Sequence, residues 1–82
     1  MSIERIKHSF KKIVEEVLDT VFDDEIFFET EVIELNINSI LYIKMLVKLE
    51  MEFDVTFPEE IVLINKHVVF NDMVSFISDC NN

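Results

Sequence analysis

The sequence predicts an all-α fold: a small four-helix bundle whose third helix is short and whose first two helices are joined by a long loop. Three observations carry that expectation. Glycine is absent and proline occurs once, at Pro58, which removes the Asn-Gly and Asp-Gly turns typical of tight β-hairpins. Apolar residues recur at three- and four-residue steps over long stretches, the period of an amphipathic helix. Half of the 82 residues are hydrophobic, enough for one core in a chain near the lower size limit for an independent domain. A single domain over residues 1–82 is expected.

The first helix is expected over residues 3–21, with Ile3, Ile6, Phe10, Ile13, Val14, Val17, Leu18 and Val21 on its apolar face. Ser2 can cap its start. Its charges run basic early and acidic late, against the helix dipole, so packing must hold it. Residues 22–38 lose the period and read as a long loop, tied to the core by Phe27 or Phe28, Val32, Leu35 and Ile37. A strand over 30–35 is the competing reading. A loop of this length in a small domain points to function.

Ser39 opens the second helix, which is expected to end near Phe53. Ile40, Ile43, Leu46, Val47, Leu49, Met51 and Phe53 make it apolar nearly all round, with polar positions at Lys44, Lys48, Glu50 and Glu52. Such a helix is either central or turns part of its apolar surface to a partner. Phe57 precedes Pro58 and is therefore extended. Glu59 and Glu60 follow at a favourable helix start, which predicts a short helix over 59–64 and a connection over 65–69. A last helix over 70–79 turns Phe70, Met73, Val74, Phe76 and Ile77 inward, and Asn81 and Asn82 are expected to fray. The expected core holds Ile6, Phe10, Ile13, Val17, Leu46, Leu49, Phe53, Val74 and Ile77.

With 17 acidic and 7 basic residues the net charge is −10. Nucleic-acid binding needs clustered Lys and Arg to neutralise phosphates, and anionic membrane surfaces repel such a chain. Partners with basic patches are the expectation instead. The lack of glycine excludes phosphate-cradling loops and a calcium loop at Asp23, Asp24 and Glu25, which read as solvated. Cys80 alone makes neither an internal disulfide nor a zinc site. The start of the chain is no secretory signal, no run is long enough to span a membrane, and a cytoplasmic location is expected. His67 reads as a solvated or hydrogen-bonded side chain near the last helix. Met45, Met51 and Met73 read as core or adaptable contact surface.

The chemistry-bearing signal is the block Leu35-Asn36-Ile37-Asn38-Ser39-Ile40, followed by Leu49-Glu50-Met51-Glu52-Phe53-Asp54-Val55-Thr56-Phe57-Pro58. It resembles the carrier-protein family, the acyl carrier proteins and the peptidyl carrier domains of nonribosomal synthetases. Their signature is Asp or Gly, then Ser, then Leu or Ile, opening a helix that runs into Leu-Glu-x-x-Phe. Here the positions read Asn38, Ser39, Ile40, then Leu49, Glu50 and Phe53, and the resemblance covers essentially the whole chain. Asn38 keeps the shape of Asp and loses its charge.

The resemblance implies a carrier-type bundle with no catalysis of its own. Ser39 would carry a covalent 4'-phosphopantetheine arm, transferred from coenzyme A by a phosphopantetheinyl transferase, with Asn38 beside it. The arm would hold acyl or aminoacyl thioesters and present them to a loading enzyme and to downstream synthase or modifying enzymes. A phosphodiester at a helix start would meet unpaired N–H groups and the positive end of the dipole. Ile40, Leu41, Tyr42, Lys44 and Lys48 are the candidate partner contacts. Other readings stand beside these: Ser39 as a plain helix cap, Ile40 as core, and the lysines as solvated surface. Fatty-acid carriers are typically acidic on this helix, so Lys44 and Lys48 tilt the expectation toward a nonribosomal peptide or polyketide pathway. The chain is expected to be a monomer. The alternative is an unmodified, carrier-like interaction or regulatory module that binds a basic protein.

Overall fold

The computed structural model describes residues 2–62 and 68–80. Its elements are α1 (Ile3–Leu18), α2 (Ser39–Phe53), α3 (Glu59–Val62) and α4 (Phe70–Cys80), with two 3₁₀ turns, Phe27–Glu29 and Val32–Leu35, between α1 and α2. The four-helix expectation, the short third helix and the long connection all hold. The predicted extension of the third helix to 64, the connection over 65–67, His67, Asn81 and Asn82 lie outside the described residues.

α1 starts where the sequence places it. Ser2 is extended and its hydroxyl accepts from the Arg5 N–H at 3.4 Å. The helix ends three residues earlier than its apolar period suggests. Asp19 takes the left-handed conformation (φ 52°) and its N–H returns to the Glu15 carbonyl, which turns the chain away. Glu15 then reaches past the helix end, its carboxylate accepting from the Phe22 N–H at 2.8 Å. As a result Val21 is 89% exposed rather than part of the apolar face.

The core is assembled mainly from three helices and the loop, with Ile61 of α3 and Phe57 at its edge. Ile6, Phe10 and Val14 of α1 meet Tyr42, Met45, Leu46, Leu49 and Phe53 of α2 and Phe70, Met73, Val74 and Ile77 of α4. Ile13 and Val17, expected in the core, are only partly buried against it. Phe27 is the loop's anchor, stacked on Phe70 at 4.5 Å and edge-on to Phe10 at 6.2 Å. Full burial of one such ring is worth about 1.5–3 kcal/mol, and each aromatic pair adds about 0.5–1.5 kcal/mol. The strand alternative for 30–35 is not realised. Val32–Leu35 winds into a 3₁₀ turn, and Glu31 makes a single antiparallel bridge to Val69. The Val32 N–H donates to the Val68 carbonyl at 2.8 Å.

Among the described residues, three sharp joints are built without glycine. Asp19, Asn36 and Asp54 all have φ between 52° and 54°, and Asn and Asp tolerate this region better than other side-chain-bearing residues. Asn36 closes the second 3₁₀ turn and swings the chain toward α2, while Asp54 caps α2 with its N–H on the Glu50 carbonyl. Among the described residues no helix is long and apolar enough to cross a membrane.

Candidate functional site

The start of α2 is shaped by Asn38. This residue is extended (φ −71°, ψ 159°), and its Oδ1 accepts from the Leu41 N–H at 2.8 Å. Its carbonyl accepts the first helical bond, from the Tyr42 N–H at 3.0 Å. Asn38 is thus the N-cap, and Ser39 is the first helical residue. The plain-cap reading of Ser39 falls, because its neighbour holds the cap. Ser39 is exposed, and in the first turn its N–H and that of Ile40 have no intrahelical acceptor. An exposed alcohol beside unpaired donors at the positive end of a 15-residue helix suits an anionic ester. No acidic residue stands in this first turn.

The two faces of α2 separate cleanly. One face, Tyr42, Met45, Leu46, Leu49 and Phe53, is buried. The opposite face exposes Ile40 (81%), Ile43, Val47 and Met51 (79%). These four recur at steps of three or four, so they form one continuous apolar stripe. Lys44 and Lys48, both exposed, lie one turn apart along its side. Leu41 is half-buried.

Tyr42 must be removed from the candidate contacts. It is 2% exposed, and its hydroxyl donates to the Ile61 carbonyl of α3. One position beyond Leu41 the helix has rotated onto its core side, which is why adjacency in sequence misleads here. Burial pushes the Tyr42 phenol up to about 12. Sequence reading did not single out Ile43 and Val47 as surface, and left Met51 as either core or contact surface. The signal was present: an all-round apolar helix whose residues sort into two sets, each at three- and four-residue spacing.

Elsewhere the charges serve the loop. Lys11 bridges Glu15 at 3.0 Å and Asp24 at 2.8 Å, and these carboxylates, Asp24 first, hold its ammonium above the usual lysine range. The Phe22 N–H, and after it Lys11, hold the Glu15 carboxyl below its usual range. Asp23 accepts from the Glu25 N–H at 2.9 Å, so the acidic run organises a turn. Among the described residues no cluster of His, Cys, Asp and Glu could hold a metal ion. Cys80 is free and exposed.

Fold and helix start together are those of a small helical bundle with an exposed serine opening its second long helix. The family model described as "Phosphopantetheine attachment site" matches residues 8–77, most of the chain. The chain belongs to that family and is a carrier of covalently attached 4'-phosphopantetheine. Neither the curated proteins nor the solved structures give a significant match. Carrier domains of this kind are generally non-catalytic and work with a phosphopantetheinyl transferase and partner enzymes.

Proposed function

We propose that Ser39 is the attachment residue and that the chain presents acyl or aminoacyl groups to the enzymes of a dedicated pathway. One observation carries the reading: Ser39 is exposed at the first position of α2, while Asn38 supplies the cap. The hydroxyl is therefore free of structural duty and open to a transferase. Ser39 Oγ would join the arm through a phosphodiester, with the first-turn N–H groups of Ser39 and Ile40 positioned to favour the negative charge. When bound, the arm supplies a terminal thiol that carries acyl groups as thioesters.

The chain's own part is to orient and to be recognised. α2 rises from Ser39 with the stripe Ile40, Ile43, Val47 and Met51 outward, and Leu41, Lys44 and Lys48 beside it. A partner that docks along this face meets the arm's root at one end. Apolar area favours contact, and the charges beside it add selectivity. Lysines there support a nonribosomal peptide or polyketide pathway over housekeeping fatty-acid synthesis. The expected partners are the transferase, a loading enzyme and downstream synthase or modifying enzymes. We place the carrier in the cytoplasm, as a monomer with one domain over residues 1–82.

The test is incubation with a phosphopantetheinyl transferase and coenzyme A, followed by intact mass. The chain should gain one arm, and Ser39→Ala should gain none. A gain that survives Ser39→Ala would move the site elsewhere. A second reading, an interaction or regulatory module that binds a basic protein, is favoured by the net charge of −10. Binding to a basic partner that survives Ser39→Ala and vanishes at moderate salt would select it.

A further inference from the structure

In a chain of net charge −10, residues 5–12 carry Arg5, Lys7, Lys11 and Lys12 and no carboxylate. Four of the seven basic residues thus fall in the first half of α1, while all 17 acidic residues lie elsewhere. Steps of three and four place Arg5, His8 and Lys12 in one row along the helix and Lys7 and Lys11 in a second.

The stability of α1 does not call for this cluster. Cations near its start oppose the helix dipole, and like charges four residues apart repel. Lys11 alone is paired with carboxylates, Glu15 at 3.0 Å and Asp24 at 2.8 Å. Lys7 rests over the Phe28 ring at 5.1 Å. Among the described residues, Arg5, Lys7 and Lys12 have no carboxylate within ion-pair distance.

The cations border a groove of about 410 Å³ between α1 and the loop. Lys7, His8, Lys11 and Lys12 line one side, and Asp24 and Phe28 of the loop line the other. No residue of α2 takes part, so the groove is separate from Ser39 and from the outer stripe of α2. Its chemistry is mixed, because Asp24 and the neighbouring Glu15 set acceptor oxygens among the cations. A dense polyanion meets repulsion from those carboxylates and from the acidic remainder of the chain. Spaced carboxylates joined by backbone N–H groups match both signs, and that is the make-up of an acidic peptide segment. The net charge does not forbid such a contact. Screening limits its reach to about 8 Å at physiological salt, so the local cations decide once surfaces touch.

We propose that the basic face of α1 and its groove form a second docking surface, which binds an Asp- or Glu-rich segment of a partner protein. Lys7 and Lys12 pair with its carboxylates, Asp24 accepts from its backbone N–H groups, and Phe28 meets an apolar side chain. This surface does not depend on Ser39. A partner held here keeps the carrier in place while the arm and α2 pass from one enzyme to the next.

The probe is a short capped peptide of alternating glutamate and leucine, titrated into the isotope-labelled full chain and followed by amide NMR. Amides of residues 5–12 and of Asp24 and Phe28 should shift, and those of Ile43, Lys44, Val47 and Lys48 should not. Lys7→Gln combined with Lys12→Gln should weaken binding about fivefold or more. The same peptide with glutamine for every glutamate should shift nothing. Inorganic phosphate at equal charge should shift these amides far less than the peptide does. Lys12→Gln alone should keep or raise Tm, because no ion pair is lost and repulsion is relieved. Shifts centred on Lys44 and Lys48, equal binding of the glutamine peptide, or a double variant that binds like wild type would overturn the proposal. So would α1 shifts that follow protein concentration alone, which assign the face to a second copy. Phosphate shifts as large as the peptide's would reduce the face to a simple anion site, and a clearly lower Tm for Lys12→Gln would make the cluster structural; either result overturns the docking surface.

Discussion

Replacing Tyr42 with Phe removes one oxygen atom from the contact between α2 and α3. That atom donates to the Ile61 carbonyl from a side chain 2% exposed. Loss of a net hydrogen bond costs about 1 kcal/mol, and a buried carbonyl left without its donor brings the total to about 1–3 kcal/mol. The whole fold is worth only about 4–12 kcal/mol at about 0.05–0.15 kcal/mol per residue. For a domain of this size each kcal/mol lowers Tm by roughly 4–8 °C.

A pH dependence makes the same point independently. Burial raises the phenol from 10.0 to about 12. The unfolded chain ionises first, so the stabilisation is complete below pH 10 and is lost as pH rises from about 10 to 12. At about 1.4 kcal/mol per pKa unit the loss is on the order of 2–3 kcal/mol. Tyr42 is the sole tyrosine and there is no tryptophan, so phenolate absorbance reports it alone. Urea melts of wild type and Tyr42→Phe across this range, with the absorbance titration in parallel, form the assay. The gap between the two proteins should close at high pH. Equal stability at neutral pH, or a phenol that titrates at its ordinary value, would refute the buried tether.

Three further outcomes are expected. Asn38→Ala should cost about 0.5–2 kcal/mol through loss of the cap, whereas Asn38→Ser should recover most of it; thermal melts decide. Phe27→Ala should cost about 3–5 kcal/mol, enough to leave the fold marginal, with near-ultraviolet circular dichroism showing loss of the ring cluster. Because the Phe22 N–H and Lys11 depress the Glu15 carboxyl, its contribution is present above the ordinary carboxylate range and is lost as pH falls through the folded value. Glu15→Gln should be less stable at neutral pH and flatter in acid, and an acid titration of both proteins that runs parallel would contradict this.

The helices were largely legible because each buries one face, and their period survives in the sequence. The end of α1 was not, since Val17, Leu18 and Val21 continue the apolar period through a turn set by Asp19. The loop hid its 3₁₀ turns because they are too short to show a period, although Phe27 and Val32 marked its anchors. At the site, Ser39 and its helix were visible as a motif. The division of labour between Asn38 and Ser39 was not, because either residue type can cap. Tyr42 was misplaced because a tyrosine in the first turn gives no sign of a carbonyl waiting 19 residues away.

The outer stripe of α2 has a colloidal consequence. Ile40, Ile43, Val47 and Met51 stay wet whenever no partner covers them, and a bare apolar ridge also fits a second copy of itself. At neutral pH the charge of −10 opposes such pairing by repulsion. Near the isoelectric point of about 4.4 that repulsion vanishes while the ridge remains. The acidity of the chain thus acts as a dispersant at neutral pH.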